Sequence, residues 1–315
     1  MAKLKKQHMT IHWKAIVQDD SSIPATEATL KEKATLVGRI GLMMLSVGTG
    51  AWRVRNSMNK VARCLGITCT ADIGLLAISY TCIEGTDTYT QSISNPTTGV
   101  NTHKLMQLEL FMKEFPDKVS TYSVKHIHEV LDEIQKLPAN YKAWNLGLAS
   151  ALACGAFTFL LGGGPVEMCC AFLGAGVGNF VRKKMLGHSI SLLANVAVSV
   201  AASCLVYVLT ILLAQSLLSV SAVHQAGYIC AMLFVIPGFP LITGGIDLAK
   251  LDLRSGLERV SYALLIILTA TMTGWATAVI CHFQPADFEP LELQKWTLLC
   301  FRLIASFCGV YGFSL

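Results

Sequence analysis

Apolar and polar positions follow three rhythms along this chain. From Thr35, apolar side chains recur at helical spacing (Leu36, Ile40, Met43, Val47), pause at Gly48 and Gly50, and resume as Val54, Met58, Val61 and Leu65 until Gly66. Two amphipathic helices are predicted there. Residues 67–83 and 89–93 are rich in β-branched and aromatic residues, and Glu84-Gly85-Thr86-Asp87 between them predicts a hairpin. Helical spacing returns over 101–115 (Leu105, Leu108, Met112, Phe115) and over 124–137 (Ile127, Leu131, Ile134), where Pro138 stops it. The first 30 residues show no apolar period and are expected to form a flexible tail.

Beyond residue 142 the rhythm changes, because polar positions almost vanish. No charge falls in residues 143–166, 185–246 or 260–286, and about 20 mainly apolar residues suffice to cross a bilayer core. The middle stretch is long enough for two spans, near 192–217 and 228–246, parted by a polar turn at 219–225. Gly162-Gly163-Gly164-Pro165 marks a reversal before a shorter candidate at 166–181, which starts beside Glu167 and is read as tilted or re-entrant. A last apolar segment runs from Trp296 to Leu315, interrupted by Arg302. The expected fold is an α-helical integral membrane protein of five to six transmembrane helices with an N-terminal cytoplasmic α+β domain. Its expected division is a basic tail (1–34), the α+β domain (35–138), a five-span membrane domain (139–283), and a loop with the start of a second membrane domain (284–315).

Composition supports that reading. Of 315 residues, 53% are apolar and 14% charged, against about 25% charged in an average soluble domain. A disordered chain is excluded by this deficit. Thirty of the 45 charges precede Ala143, so the front meets water and the back meets lipid. The positive-inside rule then sets orientation. Arg182-Lys183-Lys184 follows the second span and Lys250, Arg254 and Arg259 follow the fourth, while Asp287, Glu289 and Glu292 follow the fifth. This arrangement requires a cytoplasmic front and a multi-pass protein of the cell (inner) membrane. The basic start (Lys3, Lys5, Lys6) lacks an apolar stretch behind it and does not read as a cleaved signal peptide. The eleven Cys include no Cys-x-x-Cys pair, and reduced buried thiols are expected.

Candidate chemistry is sparse. His126 and His128 stand two apart on a predicted helix and point about 200° away from each other, so they cannot share a metal; a solvated helix face is the expectation. Gly174 and Gly178 fit close helix packing better than a phosphate loop. Seventeen basic against 13 acidic residues up to Lys142, with no interleaved aromatics, exclude a nucleic-acid partner. No cofactor is expected. The informative patch is Ile236-Pro237-Gly238-Phe239-Pro240, where Pro237, Gly238 and Pro240 interrupt an apolar segment. Broken backbone at membrane depth is tolerated where it is buried in protein or lines a cavity, and discontinuous helices build many transporter sites. Asp247 follows the break; the alternative is a plain kink with Asp247 at the membrane surface. Asn195, Ser199 and Ser203 share one face of the third span, as a pathway lining or as interhelical hydrogen bonds.

Three stretches carry a resemblance. Residues 48–66 (GTGAWRVRNSMNKVARCLG), residues 99–103 (Gly-Val-Asn-Thr-His) and residues 234–256, with IPGFPLITGGIDL and Ser255-Gly256-Leu257, resemble segments of the threonine/serine exporter family. The likeness is greatest to its shorter members, which work as one half of a succinate exporter. This resemblance implies a cytoplasmic N-terminal domain, five spans, and export of threonine, serine or a dicarboxylate such as succinate. Thr49-Gly50-Ala51 departs from the acidic residue that family members often carry after the first glycine. The family's second hydrophobic domain would begin at Trp296, which calls for a partner membrane subunit or a missing second domain.

The expected function is therefore a secondary-type exporter of a small polar metabolite, driven by an ion gradient. Its pathway would use Asn195, Pro237, Gly238, Pro240 and Asp247. Membrane lipid and a second membrane half are the expected partners, with homo-oligomerisation open. Two rivals stand beside it: a membrane-anchored enzyme using Asp72, Asn101 and His103 if a cleft unites them, and a non-transporting scaffold subunit.

Overall fold

A computed structural model describes residues 11, 13, 23–95, 99–138, 141–186, 190–218, 226–284 and 293–314. The chain divides into two compact units, one of Met1–Asn140 with Gly238–Tyr262 and the other of Tyr141–Pro237 with Ala263–Leu315.

In the first unit, α1 (Leu30–Ser46) begins five residues earlier than its apolar period suggests. The reason is a reciprocal cap: the Glu32 N–H donates to Thr29 Oγ1, and the Thr29 N–H donates to Glu32 Oε2 at 3.2 Å. α1 is the central helix, with Leu36, Val37 and Ile40 fully buried. It packs against α2 (Ala51–Cys64) and against a three-stranded antiparallel sheet of β1 (Thr68–Ile73), β2 (Ala77–Glu84) and β3 (Asp87–Ser94) in the order β1-β2-β3. A Cβ at Gly38 would strike the Tyr80 ring, so glycine lets β2 lie close on α1. The segment predicted as one strand is two, because the Gly74 N–H donates to Ala77 O and turns the chain. The predicted hairpin stands, with Glu84 paired to Asp87 and Gly85 at φ +59°. Along β2, Ile78, Tyr80 and Cys82 enter the core. On the other face Ser79 and Thr81 share hydrogen bonds with Ser92 and Thr90.

α3 (Thr102–Lys118) is capped by Asn101, whose side chain accepts the Lys104 N–H, and α4 (Val124–Lys136) by Ser123. His126 is exposed as expected, but His128 is not. It sits on the buried face of α4, 1% exposed, where Arg39 Nη1 lies 3.0 Å from its Nδ1 and Trp13 stacks on it. Burial, with the Arg39 charge second, pushes the His128 imidazole down to about 4. The expected tail is corrected in part: Ile11 and Trp13 pack against this core, while residues 1–10, 12 and 14–22 lie outside the described residues. The unit also holds α8 (Gly238–Ala249) and the first turns of α9 (Leu253–Ile280).

The second unit is helical. α5 (Ala143–Leu160) ends at Gly162, φ +110°, and α6 (Pro165–Met185) starts on Pro165, so the triple glycine and proline make the predicted reversal. α6 packs against α5 and α7 (Leu192–Leu218), and α10 (Lys295–Ser314) against α5. At Gly174 a Cβ would come within 2.9 Å of Ser203 O, and at Gly178 within 2.7 Å of Phe234 and Ser203. The two glycines serve close packing, as their spacing predicts. Among the described residues four helices are long and apolar enough to cross a membrane: Ala143–Leu160, Leu192–Leu217, Leu253–Ile280 and Lys295–Ser314. The predicted fourth span is not one helix. Two 3-10 segments (Ala226–Tyr228, Cys230–Val235) lead to an extended Ile236, and α8 restarts at Gly238. Pro237 has no N–H to continue the ladder, and Pro240 falls in the first turn of α8, where a missing N–H costs nothing. The polar turn at 219–225 and the acidic group Asp287, Glu289 and Glu292 lie outside the described residues.

Candidate functional site

α8 ends two residues after Asp247, and the chain reverses within three more. Leu251 makes this possible by adopting a left-handed conformation (φ 63°), unusual for a leucine. The Asp252 N–H then donates to Asp247 O at 2.9 Å, closing the turn. Ser255 and Arg259, one turn apart on α9, are thereby brought to the Asp247 carboxylate.

All three side chains are buried, Asp247 completely. The Asp247 carboxylate accepts the Ala51 N–H at 3.1 Å on both oxygens and the Ser255 hydroxyl at 2.9 Å. Arg259 Nε lies 3.3 Å from Asp247 Oδ2 and donates to Ser255 Oγ at 3.1 Å. Its Nη2 donates to Thr49 O at 2.6 Å, and its Nη1 to Gly48 O and to Thr243 Oγ1. α2 has no side-chain cap of its own, since Gly50 holds the cap position. Asp247 supplies the missing acceptor and a negative charge at that helix start. A Cβ on Gly50 would lie 2.9 Å from Asp247 Oδ1, so this glycine admits the carboxylate. The site therefore joins the opening segment at Gly48 to the Pro-Gly-Phe-Pro, Asp and Ser-Gly-Leu segment some 200 residues later, the two stretches on which the resemblance mainly rests.

Around the core, exposed and half-exposed ion pairs hold the α8–α9 turn. Arg55 makes two bonds to Asp252, at 3.0 and 2.6 Å, and this bidentate pairing raises its pKa further. Arg254 pairs with Asp72, Glu258 Oε2 accepts the Leu75 N–H at 2.6 Å, and the Lys250 ammonium lies 3.6 Å from the Trp52 ring centre.

Of the residues expected to line a pathway, Asp247 lies in this cluster, and Pro237, Gly238 and Pro240 form the break that starts α8. Asn195 belongs to the second unit. It is buried on α7, where its amide donates to Arg182 O at 3.3 Å while its Oδ1 has no partner among the described residues. On the same face the Ser199 hydroxyl donates to Val196 O, and that of Ser203 to Ala231 O at 2.7 Å. Among the described residues those weighed for an enzyme are not linked: Asp72 pairs with Arg254, Asn101 caps α3, and His103 Nδ1 has no hydrogen-bond partner. Among the described residues no three His, Cys, Asp or Glu side chains gather as a metal site requires. Thr49, Ser255 and Arg259 escaped the reading of the sequence. In the sequence Arg259 is one of the positive residues that follow the fourth apolar run, and its spacing of four from Ser255 is the only local sign that the two share a helix face.

The chain is 25% identical over 241 residues to "Probable succinate transporter subunit YjjP" of Klebsiella aerogenes, covering 76% of this chain and 89% of that one. It is 24% identical over 240 residues to the protein of the same name from Escherichia coli K12, covering 76% and 90%. No solved structure matches it. Residues 35–281 match the family described as "Putative threonine/serine exporter", and the chain thus belongs to the threonine/serine exporter family, a family of transporters and not of enzymes.

Proposed function

We propose that this chain is one membrane half of an inner-membrane exporter that moves a small carboxylate-bearing metabolite, a dicarboxylate such as succinate or the amino acids threonine and serine, out of the cytoplasm. The buried Asp247–Arg259 pair carries this reading. A buried ion pair is weak as a source of stability, because desolvation offsets most of its attraction. Its natural use is as a switch whose partners can be exchanged. A substrate carboxylate competes with Asp247 for Arg259, and a proton or cation competes with Arg259 for Asp247. Such exchange couples the gradient to the cargo, and the break at Pro237–Pro240, where α8 starts anew, gives the discontinuous helix that many transporter sites use. The four helices among the described residues that are long and apolar enough to span a membrane, together with the family membership, support the exporter class. The relatives' names as transporter subunits support a second membrane protein as partner. In this reading the α+β part lies in the cytoplasm.

The test is efflux from cells that express the chain with a second membrane subunit, loaded in turn with succinate, threonine and serine. The expected result is efflux of one of them that collapses in Asp247→Asn while membrane insertion persists. Unchanged efflux and pH dependence in that variant removes Asp247 from coupling. Equal efflux without this chain defeats the exporter reading outright.

A further inference from the structure

The first unit also contains a cavity of about 440 Å³ that the exporter mechanism does not use, lined in part by Trp13, Arg39, Ser46, Asn101, Lys104 and Gln135. Its size falls in the range of small-molecule sites. Its polar lining is one-sided, with two cations and no Asp or Glu among the described lining residues. Lys104 Nζ donates to the Gln135 carbonyl at 2.7 Å, a neutral partner, so its charge is not cancelled there. Arg39 is 1% exposed, and its charge is shared among the His128 carbonyl, Gln135 Oε1 and Asp132. Arg39 Nε has no hydrogen-bond partner among the described residues. Arg39 is paired with Asp132 but keeps one buried N–H without a partner, and the Lys104 ammonium, its bond exposed to solvent, stands at the cavity with no carboxylate bonded to it among the described residues. This is an arrangement an anion would complete.

The same cavity is lined by Gly99, Val100 and Asn101, the Gly-hydrophobe-Asn stretch singled out in the sequence. Val47 lines it too, and the next residue, Gly48, accepts a bond from Arg259 through its carbonyl. The Asn101 N–H donates to Val47 O at 3.2 Å, tying the motif to that segment. The cavity and the Asp247–Arg259 cluster therefore share one short piece of backbone.

We infer that this cavity is a second, regulatory site for a small organic carboxylate, held by Lys104 and Arg39, whose occupancy acts on the Asp247–Arg259 pair through Val47 and Gly48. Only the choice of ligand rests on the exporter reading: a cytoplasmic domain that senses the accumulated cargo would adjust efflux to supply. The ligand class is a carboxylate with a short body able to lie against Trp13 and the apolar walls.

The experiment is calorimetric titration of the purified full-length chain with succinate, threonine and inorganic phosphate, on the wild type and on Lys104→Gln, Gly99→Leu and Asp247→Asn. A Cβ at Gly99 meets nothing within 4 Å, so a leucine there fills space without displacing backbone. Binding of a carboxylate is expected to persist in Asp247→Asn, to weaken at least about tenfold in Lys104→Gln, which removes one charge-assisted contact, and to disappear in Gly99→Leu. Thermal unfolding of each variant checks that it is folded, and if Gly99→Leu is not, the surface change Lys104→Gln decides alone. Binding of phosphate as tight as that of either carboxylate, no binding to the wild type, or binding lost in Asp247→Asn and intact in Lys104→Gln overturns the inference. That last outcome leaves the exporter reading standing, whereas binding confined to the cavity with no efflux defeats the exporter reading alone.

Discussion

In the first unit, Asp247, Ser255 and Arg259 lie out of solvent and exchange bonds with residues 48–51, about 200 positions earlier in the chain. In the second, Asn195, Ser199 and Ser203 on α7 are equally buried but uncharged, and the partners of both serines are carbonyls of nearby packed backbone. Hydrogen bonds between neutral groups can satisfy themselves wherever a carbonyl is close. A buried charge cannot, and needs a counter-charge with matched geometry. Asn195 and Ser203 therefore tie α7 to neighbouring backbone while Ser199 bonds within α7, and the charged cluster joins segments far apart in the chain.

The largest effect is expected where that difference is attacked directly. Arg259→Leu leaves the Asp247 carboxylate buried with no counter-charge, and breaking one side of such a pair costs about 3–5 kcal/mol. Thermal unfolding in detergent should show the variant strongly destabilised, with much of the loss recovered in the double variant Asp247→Asn, Arg259→Leu. Double-variant stability no better than that of Arg259→Leu alone contradicts the pairing.

The charged cluster was also the part least legible in the sequence. Helices α1 to α4, the hairpin at Gly85 and the reversal at Gly162 were readable because each is a local matter of period, cap or turn. The break at Pro237 was readable for the same reason. Asp247 could be suspected as a charge at the edge of an apolar run, but its partners could not. Nothing local in Thr49 or Arg259 announces that they meet, and a one-dimensional count of positive charges made Arg259 a topological marker. His128 failed for a related reason: its neighbour in space, Arg39, lies 89 residues away. The missed start of α1 was different, since Thr29 and Glu32 spell out a cap that was there to be read.

His128 offers the next test, because it is a buried group that stays neutral instead of being paired. Its folded pKa of about 4 lies below the ordinary 6.5, so the unfolded chain takes up the proton first as pH falls. The neutral imidazole's contribution is complete above about pH 6.5 and is lost progressively down to about pH 4, for a total of about 3 kcal/mol. Unfolding midpoints measured across that window should fall in the wild type and flatten in His128→Gln. An equally steep fall in the variant assigns the acid sensitivity to other groups.

Packing in the second unit should respond more mildly. At Gly178 even a first carbon lies 2.7 Å from Phe234 and Ser203, so Gly178→Val pries α6 from α7 and from the 3-10 segment. Overpacking of this kind costs about 1–3 kcal/mol. Lower yield of folded protein after detergent extraction is the expected outcome, and wild-type stability would show that the helices are not held as closely as the structure has them.

The smallest change is the most discriminating. Ser203→Ala removes one hydroxyl whose bond to Ala231 O spans 2.7 Å, a loss of about 1 kcal/mol, and leaves every charge in place. If the α7 stripe is glue, efflux from cells should stay within about twofold of wild type once protein level is matched, in line with so small a change in free energy. If the stripe lines the route of the cargo, efflux should fall far more than stability does, because a pathway hydroxyl acts on the moving substrate and not on the fold. A collapse of transport in a folded Ser203→Ala protein would erase the distinction between the two clusters and move the pathway to α7.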